Sequence, residues 1–126
     1  MTYIYPDKPG HAPGDHDDLP DRIVWTPGRL SLVFTASLNR PVVLSGLGCA
    51  GEATITTATQ PLVELIVTGD GRARTTTRFT NTGVGSRLRY HGHSTGSEQG
   101  EERLDIVQAD ALTGLRITTT FIASAE

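Results

Sequence analysis

The chain holds a single cysteine, Cys49, so no disulfide can close within it and no covalent staple can substitute for a core. Aromatic residues make up only 6% of its 126 residues. Its interior must therefore be assembled from small aliphatic side chains and threonine methyls. Basic residues are not in excess either: the formal net charge is −3, and no basic stripe interrupts the balance, which excludes an electrostatic footprint for nucleic acid. No apolar run approaches the roughly 20 residues that a membrane-spanning helix requires. The amino terminus also lacks the basic-then-apolar order of a secretion signal. Together these absences predict a soluble, cytoplasmic protein with no nucleic-acid or membrane partner.

What remains is enough for one domain, which on folding would bury roughly two thirds of the surface its unfolded chain exposes. From Tyr5 to Pro20, four prolines and two glycines lie among Asp and His, a composition that sustains neither a ladder nor a helix. Residues 1–20 are expected to be a flexible lead-in, and 21–126 the folded domain. Arg22 to Trp25, the turn Thr26-Pro27-Gly28 and the alternating run to Ala36 predict a hairpin. Asn39-Arg40-Pro41 turns into Val42 to Leu44, after which the glycines from Gly46 to Gly51 are expected to break regular structure. Further strands are expected at Leu62 to Thr68, Thr75 to Thr80, Arg87 to Gly92 and Leu115 to Ile122. Short strands separated by Gly, Pro and Asn turns predict an all-β fold, an antiparallel β-sandwich. Glu101 to Thr113 is open between a helix, with Leu104, Val107 and Ala111 on one face, and a strand followed by a turn.

Gly46-Leu47-Gly48-Cys49-Ala50-Gly51 spells G-x-G-x-x-G after an apolar strand, but a dinucleotide site needs a helix directly behind the glycines. Glu52 to Gln60 is rich in threonine and Pro61 ends it, so a glycine-rich connection is the better reading. His91 and His93 are two apart, a spacing that places both on one face of a strand and can hold zinc. No third ligand is evident. The Gly, Ser and Thr residues from Gly92 to Gly100 instead suggest an exposed hairpin tip, and His11, His16, Asp15, Asp17 and Asp18 read as a solvated cluster. Among carboxylates, Asp105 alternates with Leu104 and Ile106 as a solvent face would, Asp110 precedes a turn whose amides it can satisfy, and Glu64 sits within an apolar strand. None forms the close pair that glycoside hydrolysis typically requires. No serine occupies a strand-to-helix elbow, and Cys49 reads as a small packed thiol. Trp25, Tyr90 and Phe79 can stack on a sugar, but core packing is the better reading where aromatics are scarce.

Four segments carry more: Pro61-Leu62-Val63-Glu64, the turn Gly69-Asp70-Gly71-Arg72, the run Gly85-Ser86-Arg87-Leu88-Arg89-Tyr90, and Asp110 to Leu115, reading Asp-Ala-Leu-Thr-Gly-Leu. In order and spacing they resemble the amino-terminal β-supersandwich region of the glycoside hydrolase family 36 α-galactosidases, over roughly half of the chain. The resemblance favours a strand at Arg103 to Gln108 with a turn at Asp110 to Gly114. It implies a non-catalytic portion of a retaining enzyme that hydrolyses terminal α-galactosyl residues, packed on its own catalytic barrel, which is not in this chain. It implies no metal or organic cofactor, and assembly as a homo-oligomer in which the Gly69 to Arg74 loop reaches a neighbouring pocket. Asp70 and Arg72 are then the substrate-binding candidates, since a carboxylate and a guanidinium can hydrogen-bond sugar hydroxyls. A truncated sandwich of this kind is expected to leave a sheet edge open to association. A self-contained carbohydrate-binding sandwich is the alternative.

Overall fold

The computed structural model describes residues 2–4, 22–49, 61–67 and 82–124, the first of these as backbone only. They form two antiparallel sheets. The first has the order β1-β5-β6-β7, from β1 (Thr2–Ile4), β5 (Arg89–Glu98), β6 (Glu101–Ala109) and β7 (Arg116–Ser124). The second has the order β2-β3-β4, from β2 (Arg22–Trp25), β3 (Leu30–Ser37) and β4 (Arg40–Cys49). One short helix, α1 (Gly83–Arg87), precedes β5. The all-β antiparallel sandwich expected from the strand pattern is thus the fold.

Alternation along the strands builds the core. Ile23 and Trp25 on β2, Leu32, Phe34 and Ala36 on β3, and Val42 on β4 point inward and meet Tyr90, Leu104 and Ile106 from the other sheet. Phe121 on β7 reaches across to Phe34 and Trp25, with ring centroids 5.1 and 6.4 Å apart. Tilted aromatic contacts of this kind add to the burial of apolar area. Trp25 and Tyr90 are therefore core residues, as scarcity predicts, and offer no sugar platform. Two polar contacts also bridge the sheets: the amide of Val42 donates to Gln108 Oε1 at 3.0 Å, and that of Gly28 donates to Glu102 Oε2 at 2.8 Å.

Several local expectations need correction. β4 does not end at the glycines: Gly46, Gly48 and Cys49 stay paired with Val33, Ser31 and Leu30, and Cys49 is exposed rather than packed. The described part of the proposed strand at Leu62 to Thr68 forms no ladder: an isolated bridge joins the preceding Pro61 to Val43, and Leu62 N donates to Val42 O at 3.1 Å. Glu64 reaches to the helix start instead, as described below. Within the lead-in, Thr2–Ile4 pair with Thr95 to His93 of β5. β5 continues to Glu98, so the histidines lie inside a strand, and the hairpin tip is at Gln99 and Gly100, both with positive φ. Glu101 to Thr113 is a strand and a turn, not a helix. Asp105 is wholly buried instead of facing solvent. β6 is an interior strand that buries both faces, Leu104 and Ile106 on one and Asp105 and Val107 on the other.

A bulge explains the histidines. Tyr90 pairs with Gln108 and Gly92 with Val107, which leaves His91 as the extra residue of β5. An inserted residue shifts the period-two alternation by one. Tyr90 and His93, three apart, consequently share a face, and the Tyr90 hydroxyl and His93 Nδ1 lie 2.8 Å apart in a hydrogen bond. The regular spacing on which a zinc reading of His91 and His93 depends is broken at this point.

Candidate functional site

The most organised polar region gathers three of the four segments singled out in the sequence. It begins with Thr82, an extended residue whose side chain caps α1 by accepting from Gly85 N at 3.0 Å. Threonine suits this position because its oxygen satisfies an amide that the helix leaves without an internal partner. The same oxygen accepts from Leu65 N at 3.2 Å, and Glu64 Oε2 accepts from Thr82 N at 2.9 Å. Glu64 and Thr82 thereby tie the Pro61–Glu64 segment to the helix start. Gly85 has no alternative here: a Cβ would stand 2.6 Å from Thr82 Oγ1 and 2.8 Å from Val63 O.

The far end of α1 is tied in turn to the β6–β7 connection. Arg87 Nε and Nη2 donate to Asp110 Oδ1 and Oδ2, each at 3.0 Å, a side-on bidentate pair. Asp110 is buried, with 1% of its surface exposed. It also accepts from Leu112 N at 3.2 Å and from the Thr113 hydroxyl at 2.7 Å. Backbone bonds from Asp110 N to Leu115 O and from Gly114 N to Asp110 O close the turn, and Gly114 supplies the positive φ that it requires. The hydrogen bonds from Arg87 hold the Asp110 carboxyl well below the usual range; burial opposes them, and the bonds from Thr113 and Leu112 reinforce them. The turn expected at Asp110 to Gly114 is present, and its aspartate does accept backbone amides. Sequence reasoning did not foresee the helix, the Thr82 cap, the bond from Glu64 or the Arg87 partnership.

A second buried carboxylate sits on the face of β6 away from the core. Asp105 takes 3.1 Å bonds to both oxygens from Arg103 Nε and a 2.6 Å bond from the Thr120 hydroxyl. Both aspartates are occupied by donors from the protein, an arrangement that holds elements together rather than presenting a reactive group. On the outer face of the β2-β3-β4 sheet lies a groove of about 390 Å³. It combines Pro41, Val43 and Pro61 with Arg40 and the hydroxyls of Thr35 and Ser45, which are themselves linked at 2.9 Å.

Asp70 and Arg72, the sugar-binding candidates from the sequence, lie outside the described residues, as do Phe79 and the proposed strand at Thr75 to Thr80. Among the described residues no three His, Cys, Asp or Glu side chains converge on a metal position, and no helix is long and apolar enough to cross a membrane. Set against known proteins, the chain matches no family model, no curated protein and no solved structure.

Proposed function

We propose that this chain is the non-catalytic amino-terminal β-sandwich portion of a retaining family 36 α-galactosidase, which supports a separate catalytic barrel and the assembly of the oligomer. One observation carries the reading: Pro61–Glu64, Gly85–Tyr90 and Asp110–Leu115, which resemble that family in order and spacing, meet in one hydrogen-bonded cluster through Glu64, Thr82, Arg87 and Asp110. Segments that must meet in space have a physical reason to keep their order and spacing. The reading includes a cytoplasmic location, α-galactosides as substrates of the whole enzyme, and Asp70 with Arg72 as the contacts to sugar. Two measurements test it. Sequencing the gene is expected to show the reading frame continuing from Glu126 into a barrel with two suitably placed aspartates. Turnover of an aryl α-galactoside by the purified 126-residue chain would overturn it.

The groove on the β2-β3-β4 sheet favours a second reading, a carbohydrate-binding sandwich. Pro41, Val43 and Pro61 can meet the C–H face of a sugar while Arg40 donates to hydroxyls and Thr35 and Ser45 accept from them. Titration with galactose, melibiose and raffinose is then expected to shift the resonances of Thr35, Arg40 and Ser45. A flat titration removes this reading.

A further inference from the structure

Among the described residues the two sheets have four edge strands, and three are protected by features that discourage association. β1 is three residues long and β2 four. β4 carries Pro41 near its start, two register irregularities against β3, and contacts along its free side from Pro61 to Val43 and from Leu62 N to Val42 O. Short length, proline, bulges and cover are the ways native sheets blunt their edges. Among the described residues β7 has none of these. It runs nine residues in unbroken register with β6, from Arg116 opposite Ala109 to Ser124 opposite Glu101. It contains no proline, and its one charged residue, Arg116, stands at its first position. No other described residue is paired with its outer side.

The side chains agree with the backbone. Ile117, Thr119, Phe121 and Ala123 face inward but are only half-buried, whereas Leu104 and Ile106 of the neighbouring strand are fully buried. Trp25 of β2 packs on Phe121, so the short β2 edge lies on this same open flank.

We propose that β7 pairs antiparallel with β7 of a second copy about a two-fold axis through Thr120, which joins two four-stranded sheets into one of eight strands. The register follows from two requirements. Full overlap of nine residues sets Arg116 opposite Ser124 of the second copy, and it sets Thr120 opposite itself. Preservation of faces demands that inward residues meet inward residues, because a one-residue slip would turn every side chain over. The two-fold at Thr120 satisfies both requirements, placing Ile117 opposite Ala123 and Thr119 opposite Phe121 of the second copy. An aromatic opposite a β-branched residue is a favourable cross-strand pair, and an isologous contact of this type closes at the dimer. The pairing gives the oligomer proposed above a surface. It rests on the strand pattern alone, and it stands or falls without the α-galactosidase reading.

The experiment combines sedimentation with directed cross-linking on the full chain carrying Cys49→Ser. The Cys49→Ser chain is expected to sediment at twice the monomer mass, and adding Thr118→Lys with Ile122→Lys is expected to return it to monomer, because each lysine then faces one from the other copy. Both positions lie on the exposed outer face of β7, so a retained native circular-dichroism spectrum and a cooperative melt separate lost pairing from lost folding, while the melting temperature itself falls with the dimer. Thr120→Cys is expected to form a disulfide-linked dimer on mild oxidation. Ser124→Cys is not, since its two copies would lie roughly 27 Å apart at about 3.4 Å per residue. A monomer at high concentration, or cross-linking by Ser124→Cys as efficient as by Thr120→Cys, would overturn the proposal.

Discussion

Asp110 and Asp105 are both buried, and each has an arginine partner, yet they do different work. Asp110 fastens parts of the chain that lie just beyond the end of the β5–β6 ladder, whose first pair is Arg89 with Ala109. Its arginine stands 23 residues away at the end of α1, and its other two donors lie in the turn that leads to β7. Asp105 joins neighbours that the β6–β7 ladder already holds. Thr120 is its register partner on β7, and Arg103 lies two residues away on β6 itself. The arginines differ too, with the Arg87 side chain 29% exposed and that of Arg103 45%. Burial of a carboxylate therefore does not measure its structural weight. What counts is which elements come apart when it is removed.

Removal of Asp110 should have the largest effect. Asp110→Ala removes the acceptor that Arg87, an amide and a hydroxyl share and unfastens α1 from the β6–β7 turn, a loss of about 1.5 to 3 kcal/mol, since the Arg87 side chain is 29% exposed and water can take it up. Urea denaturation measures it, and a loss no larger than that of Asp105→Ala would erase the contrast. Acid probes the same site without mutation. Unfolded aspartate titrates near pH ~3.9, and the folded carboxyl is held below this by Arg87, so the unfolded chain takes up the proton first as pH falls. The stabilisation is therefore complete above about pH 5 and declines progressively on further acidification. Asp110→Asn is expected to flatten that part of the stability profile. Gly85→Ala comes next: the new methyl would press on Thr82 Oγ1 and the Val63 carbonyl, for a cost of about 1 to 3 kcal/mol typical of overpacking. A neutral result would mean that the capping segment moves freely.

The contrast between these sites also shows why some of the molecule was legible in the sequence and some was not. The hairpin from Arg22 to Ser37 and strand β7 follow from alternation and turn residues, which act over a few neighbours, whereas the residue pattern of β6 fits a helix as well as a strand. Asp110 was legible as a turn former for the same local reason. The short helix was not, because Gly83-Val84-Gly85 has poor helix propensity, and its stability comes from Thr82, Glu64 and the bonds at its ends. Asp105 was misread because its alternation with Leu104 and Ile106 is real, but the second face of an interior strand can be buried as well. The histidine spacing misled because a single bulge at His91 resets the alternation, and a bulge leaves no mark in a pattern of residue types. Of the site, three of the four segments singled out in the sequence meet in one cluster, while the bonds that unite them are long-range and leave no local signal in the residue pattern.

The smallest expected effect tests the comparison from the arginine side. Arg103→Gln removes one partner of Asp105, but the guanidinium is nearly half exposed, so water already screens the pair, and exposed pairs contribute about 0 to 1 kcal/mol. Thr120 continues to donate to the carboxylate at 2.6 Å. Arg87→Gln deprives a buried carboxylate of a bidentate donor instead, and its loss is expected to exceed that of Arg103→Gln by at least about 1 kcal/mol, since charge-assisted bidentate bonds are the stronger class. Paired thermal melts at pH 7 measure the difference. Equal losses would mean that Asp105 depends on its charge as Asp110 does, and that the β6–β7 ladder does not hold the strands without it.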